Sequence, residues 1–258
     1  MGLIMDPEKP ILAVRDIGVS FVRADGTPVV ALKEVCLDVF RGEFLCILGR
    51  SGHGKTTLLN LVAGLLTAQH GQVQVMGQLV TGPGTDRGVI FQQDAVFPWM
   101  RVEENVAFGL RVRNIPKGER LRIAREHLAL VGLSSVARAW PKELSGGMRA
   151  RVAIAAVFAN DPPILLADEP FGALDYVTRR QLQSVLRDLW QRTGKTVLFV
   201  THDVDEAMML GTRVVVVKNG GIAEDRAIDL PMPRTDDDVA TEAGLATKHL
   251  LLHHIGLE

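Results

Sequence analysis

The chain has 258 residues, 47% of them apolar, and a formal net charge of -1 at pH 7. That length and apolar share suit one large domain or two small ones with a well-filled core. The near-neutral balance gives no case for nucleic acid or an anionic membrane as a partner.

Met1 to Glu8 lacks the basic start and long apolar stretch of a signal peptide. No apolar run approaches the ~18 residues that a membrane helix needs. The longest candidate, Val152 to Ala159, stops at Asn160-Asp161-Pro162. Any membrane link is therefore expected to run through a partner. Further along, Asp25-Gly26-Thr27-Pro28 reads as a turn between two strand-like apolar runs. Cys36 and Cys46 form no CxxC pair, and each sits in an apolar run. Both are expected to be reduced thiols in the core.

Phe44 to Leu48 reads as a buried strand, and helical spacing begins at Lys55 and runs to Leu65. Between them, Gly49-Arg50-Ser51-Gly52-His53-Gly54-Lys55-Thr56 fits GxxxxGK[ST], in the strand-to-helix context that such a phosphate cradle needs. Gly49, Ser51, Gly52 and Gly54 let backbone N–H groups surround phosphate oxygens at the positive end of a helix. Lys55 suits the β- and γ-phosphates, and the Thr56 hydroxyl suits Mg²⁺. Thr57 adds a second hydroxyl at the helix start. Arg50 and His53 fill variable positions and are expected in solvated or packing roles.

Val73-Gln74-Val75 alternates as a short strand, with a turn at Met76-Gly77. From Val102 to about Arg192 the pattern is mostly helical. Glu119 to Val131 places Leu121, Ile123, Ala124, Leu128 and Val131 on one helix face, with Gly132 as its C-cap. Ile164 to Ala167 is an apolar strand that ends in Asp168 and Glu169. Behind a phosphate cradle, Asp168 is expected to hold Mg²⁺, directly or through water. Glu169, one residue on, points elsewhere and suits the attacking water. Asp175 to Trp190 reads as an amphipathic helix with Leu182, Val185, Leu186 and Leu189 on one side. Thr196 to Val200 and Arg213 to Val217 are two more strands, with a helix at Val204 to Leu210 between them. Strands separated by helices imply a parallel α/β sheet. The helical stretch at about 95–160 is expected as a subdomain inserted into it. The tail from Leu230 is Pro-, Asp- and His-rich, and no element is predicted there. His249 and His253 stand at i, i+4 spacing without a third ligand, which favours a solvated C-terminal face over a metal site.

Leu144-Ser145-Gly146-Gly147-Met148 precedes a helix predicted from near Gly147. Ser145-Gly146-Gly147 offers a second set of N–H groups to an anion at a helix N-terminus. Two phosphate-binding devices in one chain suggest nucleotide held between two subunits. This segment resembles the LSGGQ signature of ABC (ATP-binding cassette) ATPases, and the resemblance runs over nearly the whole chain. It implies one domain over 1–258, with the helical subdomain inserted and 230–258 as a C-terminal tail. The implied fold is α/β, a P-loop NTPase with a RecA-like parallel sheet core, an antiparallel β subdomain and an inserted α-helical subdomain.

The resemblance also assigns roles. Ser145 and Gly147 would meet the γ-phosphate of ATP bound to the other subunit of a head-to-tail homodimer. Gln92 matches the Q-loop glutamine that reaches Mg²⁺ and the water. Asp175, in Ala173-Leu174-Asp175, matches the D-loop at the dimer interface, and His202 matches the switch histidine near the γ-phosphate. In Val19-Ser20-Phe21-Val22-Arg23 the position of the adenine-stacking aromatic holds Arg23. The nearest ring, Phe21, is placed by alternation in the core, and is carried as the adenine contact beside Arg23. Met148, Ala150 and Ala156 depart from the pattern, where glutamine, glutamine and arginine are more usual.

Phe97-Pro98-Trp99 offers an apolar anchor. In the family this region meets the coupling helix of an integral membrane permease, here near Gln92 to Trp99. Together with Phe171 to Asp175 and Asp229-Leu230-Pro231-Met232-Pro233-Arg234, it resembles the nitrate/sulfonate/taurine importer subgroup. Lys218-Asn219-Gly220-Gly221 departs from that subgroup's Pro/Gly-rich turn. The resemblance implies an ATPase using ATP and Mg²⁺, peripheral on the cytoplasmic face of the inner membrane. A periplasmic or surface binding protein would be an indirect partner, and nucleic acid would not be one. The alternatives are a soluble ABC-type ATPase of DNA repair or translation, and a weakly hydrolysing cassette.

Overall fold

The computed structural model describes residues 9–91 and 96–257. It divides into two compact units, Met1–Asp86 with Gly194–Glu258, and Arg87–Thr193.

In the first unit, β1 (Leu12–Val22), β2 (Pro28–Val39), β4 (His70–Val75) and β5 (Gln78–Leu79) form an antiparallel sheet in the order β2-β1-β4-β5. The first two strands flank the predicted turn at 25–28. Two of the expected core positions are not in the core. Register shifts follow Val14, Ile17 and Val19 on β1, and Glu34 on β2 has φ 51°. Each such irregularity flips the alternation behind it. Cys36 is therefore exposed, with its Sγ accepting the Asp16 N–H at 3.3 Å, while Cys46 is buried. Phe21 is likewise 44% exposed rather than in the core.

The same unit holds β3 (Phe44–Leu48), β8 (Thr196–Thr201), β9 (Arg213–Lys218) and β10 (Gly221–Ala227). Strand β3 runs parallel to both β8 and β9, and β10 closes an antiparallel hairpin on β9. Strands β3 and β8 are buried along their whole length, which is why they read as continuous apolar runs. The Phe44 and Phe199 rings meet 5.9 Å apart. Helix α1 (Lys55–Ala63) packs on β8, and α7 (Val204–Leu210) packs on β3. The tail is ordered into α8 (Asp236–Val239) and α9 (Glu242–Ile255), neither of which the composition predicted. Helix α9 lies on α7 and β9, with Leu251 and Ile255 buried.

The second unit pairs β6 (Arg87–Ile90) with β7 (Ile164–Asp168) in parallel. Around them are α2 (Val102–Val106), α3 (Phe108–Val112), α4 (Lys117–Leu130), α5 (Gly146–Ala159) and α6 (Tyr176–Thr193). Helix α4 buries Ala124 and Leu128 from the predicted face, and ends before Gly132. Helix α6 buries Leu182, Leu186 and Leu189 as expected. The chain visits β3, then α1, then later parallel strands, so helices and strands alternate as read from the sequence.

Candidate functional site

Strand β3 delivers the chain into the cradle at Gly49. Helix α1 then begins at Lys55, behind Gly54, which has φ 103°. A Cβ on Gly54 would run into the Ala31 carbonyl and the Leu32 side chain. The left-handed turn and the close approach together demand glycine. The first turn of α1 carries no acidic residue, and no side chain caps it at Gly54. Lys55 is 4% exposed and folds back over the loop, donating to the carbonyls of Gly49 at 2.8 Å and Arg50 at 3.2 Å. Ser51, Gly52 and Thr56 are exposed and Thr57 is half-buried, beside the same turn. An uncapped, acid-free helix start with a cation folded under it fits a polyphosphate.

Strand pairing brings a second element to this place. Leu48 stands opposite Thr201 in the parallel β3–β8 register. The next residues, Gly49 and His202, therefore leave neighbouring strands at the same carboxyl edge, where open α/β sheets bind ligands. His202 is exposed there. Its turn is tied down on both sides. The Thr201 hydroxyl donates to Glu206 Oε2 at 2.6 Å and accepts the Asp203 N–H at 3.0 Å. Asp203 caps α7 by accepting the N–H groups of Asp205 at 2.8 Å and Glu206 at 3.3 Å. Glu206 and Thr201 are buried, and neither was singled out in the sequence.

In the second unit, β7 ends in Asp168, half-buried, with Glu169 after it. Glu169 has φ 42°, an uncommon conformation for a residue with a Cβ. This left-handed step lies one residue past the end of β7 at Asp168. Ile90 stands opposite Ala167, so β6 ends at the same edge as Asp168. Gln92, two residues past Ile90, lies outside the described residues.

The Ser145-Gly146-Gly147 segment opens a helix, as its sequence predicts. Ser145 is the N-cap of α5, its Oγ accepting the Met148 N–H at 3.2 Å. Gly147 is buried, and a Cβ there would collide with Thr178 of α6. Asp175 accepts the Thr178 N–H at 3.0 Å, and that bond holds its carboxyl below the usual carboxylate range. Thr178 thus lies close to Gly147 and also bonds Asp175. Ala150 and Ala156 are half-buried on α5, and the Ala156 carbonyl accepts from Asn160 Nδ2 at 2.8 Å.

Trp99 is 71% exposed. Phe97 lies 5.6 Å from the Trp99 ring and 4.6 Å from Phe108. Asn105, buried and not foreseen, accepts the Phe97 N–H at 2.6 Å. Its Nδ2 lies within 3.0–3.1 Å of the carbonyls of Phe97, Met100 and Arg101. The loop that carries Trp99 is therefore braced by Asn105. Among the described residues no group of His, Cys, Asp and Glu has the arrangement of a metal site, and no helix is long and apolar enough to cross a membrane.

Comparison with known proteins agrees. The nitrate import ATP-binding protein of Synechocystis sp. is 47% identical over 222 residues, 85% of this chain and 83% of that one. The taurine import ATP-binding protein of Escherichia coli is 48% identical over 202 residues, 78% and 79% of the two chains. A dimeric ATP-binding cassette, solved in a post-hydrolysis state with ADP and Pi, superposes with a TM-score of 0.74 at 30% identity. That match covers 87% of this chain and 99% of the other. The fold is the ABC ATPase fold, a P-loop NTPase core with an added antiparallel sheet and helices. The profile of the ABC transporter family matches residues 32–172, and the chain belongs to that family as one of its ATP-hydrolysing cassettes.

Proposed function

We propose that this cassette powers a membrane importer for nitrate, a sulfonate, taurine or a related small solute. The observation that carries its chemistry is the shared edge of β3 and β8, where the cradle and His202 emerge side by side. The substrate class rests on the two import proteins named above.

In this reading the chain is one ABC domain over 1–258, with an inserted helical subdomain at about 95–160 and a tail at 230–258. Gly49, Ser51, Gly52, Gly54, Lys55, Thr56 and Thr57 hold the phosphates, and Phe21 packs on the adenine. The exposure of Phe21 makes the ring available for that contact. Thr56, Asp168 and Gln92 supply oxygen ligands suited to Mg²⁺. When bound, the ion neutralises charge on the β- and γ-phosphates. Glu169 accepts the proton of the attacking water, Gln92 orients that water, and His202 donates toward the γ-phosphate oxygens. Ser145, Gly147 and Asp175 act across a head-to-tail homodimer, on nucleotide bound to the other copy. ATP favours the closed dimer over the open one, and hydrolysis releases it.

The cassette works from the cytoplasmic face of the inner membrane, as a peripheral subunit. An integral permease docks near Gln92 to Trp99, and a binding protein delivers the substrate from outside. Affinity purification from native membranes, with partners identified by mass spectrometry, tests this. A multi-span permease in the eluate supports the reading; ribosomal or DNA-repair partners without a permease overturn it. The anchor makes a sharper prediction. An exposed tryptophan on a braced loop is the kind of residue that carries about 2 kcal/mol or more of binding. Trp99→Ala is expected to weaken association with the permease roughly 30-fold. Thermal stability should not change, because the ring is mostly in solvent. Co-purification yield and a melting curve check both halves.

A further inference from the structure

The segment 229–234 joins β10 to the C-terminal helices α8 and α9. In the structure its last residue, Arg234, is 2% exposed and reaches back across the fold. Its Nη1 donates to the carbonyls of Met208 at 2.7 Å and Gly211 at 2.5 Å, the groups that end α7. Its Nη2 donates to Ile228 at 2.9 Å and Leu230 at 3.3 Å. The last-turn carbonyls of a helix have no intrahelical partners, and a cation there also complements the helix dipole. Burial pushes the Arg234 guanidinium down from its ordinary value, and the ring of carbonyls offsets that cost.

Helix α7 has the His202 turn at its other end. Asp203 is its N-cap, and Glu206 on its first turns holds the Thr201 hydroxyl. The two residues that flank His202 are therefore both fixed by α7, and α7 is fixed by Arg234. Lys248 of α9 adds an ion pair to Asp205 at 2.6 Å, but Asp205 is 64% exposed and the pair contributes little.

We propose that Arg234 is a positioning residue for His202, acting through α7. The C-terminal segment then belongs to the ATPase switch. This rests on the role of His202 given above. Arg234 sits at the end of α7 opposite the His202 turn, so its loss acts on turnover and not on ATP binding. A displacement of about 1 Å in a reacting group costs up to a hundredfold in rate.

The test uses the full chain and four forms: parent, Arg234→Lys, His202→Ala and the double variant. Lysine keeps the charge and the packing stem but cannot bond several carbonyls in one plane. Arg234→Lys is expected to lower ATPase turnover on the order of tenfold, with ATP affinity within about twofold of the parent. In the His202→Ala background the same change should cost less than about twofold, because coupled residues are not additive. An equal loss in both backgrounds, or a parallel loss of ATP affinity and folded fraction, overturns the proposal and makes Arg234 a stabilising residue only. If His202→Ala itself left turnover at the parent rate, the role of His202 would fall and this proposal with it. The two failures are thus told apart.

Discussion

Replacing Glu169 by Gln is expected to abolish most ATP turnover, by about 10²–10⁴-fold, while leaving ATP binding intact. The substitution keeps size and shape and removes only the ability to accept a proton. That matters at this position, because the backbone at Glu169 is in the left-handed region at φ 42°. A non-glycine residue held there costs on the order of 1–2 kcal/mol and persists only where its surroundings fix it. A larger change would disturb the turn itself; glutamine does not. With chemistry blocked and binding preserved, the proposed homodimer should stay closed around ATP, since ATP favours the closed state. Steady-state phosphate release and size-exclusion chromatography with ATP report the two effects. Turnover at the parent rate would remove Glu169 from the role of base. Loss of ATP binding would mean that the turn, and not the proton, was disturbed.

The parts of this site that the sequence disclosed are those fixed by local geometry. The cradle needs glycine, lysine and threonine at set spacings between strand and helix, so Gly49 to Thr56 was readable in isolation. Asp168 and Glu169 were readable because a buried strand must be apolar until it reaches the edge. The missing parts depend on contacts far apart in the chain. Alternation places Phe21 in the core only along an unbroken ladder, and the shifts at Val14, Ile17 and Val19 break it; Cys36 sits in an apolar run, but Val35 and Leu37 on either side take the buried face. Asn105 looks like any polar helix residue until the carbonyls of Phe97 and Met100 arrive around it. Arg234 finds its carbonyl partners 23 and 26 residues earlier. Helix α9 was hidden by the Pro- and Asp-rich stretch before it. That composition belongs to 229–238, and a fresh cap at Thr241 starts the helix afterwards, its Oγ1 accepting the Gly244 N–H at 3.2 Å.

Lys55→Met should separate phosphate binding from the integrity of the fold. In the structure the Lys55 ammonium is held by the Gly49 and Arg50 carbonyls, inside the loop that it would help to fill with phosphate. Those bonds hold the ammonium in a buried place at the loop, and ATP offers stronger, charged acceptors. Methionine keeps the stem and its packing, and loses the charge. A hydrogen bond to a charged group contributes about 1.5–3 kcal/mol. ATP affinity is thus expected to fall about 10- to 100-fold. The effect on hydrolysis should be larger, of order 10²–10³ beyond binding, because charge builds on the phosphate oxygens as the bond breaks. The direction of the stability change is also informative. The parent places a cation in a site that is 4% exposed, which is costly unless its bonds are good. The variant should therefore melt near the parent without ATP, and gain less than the parent when ATP is added, since ligand stabilisation scales with affinity. Melting curves with and without ATP, beside a binding titration, measure all three. An ATP-induced gain equal to the parent's would show that Lys55 carries little of the phosphate, and would shift that burden to the backbone N–H groups of Gly52 to Thr56.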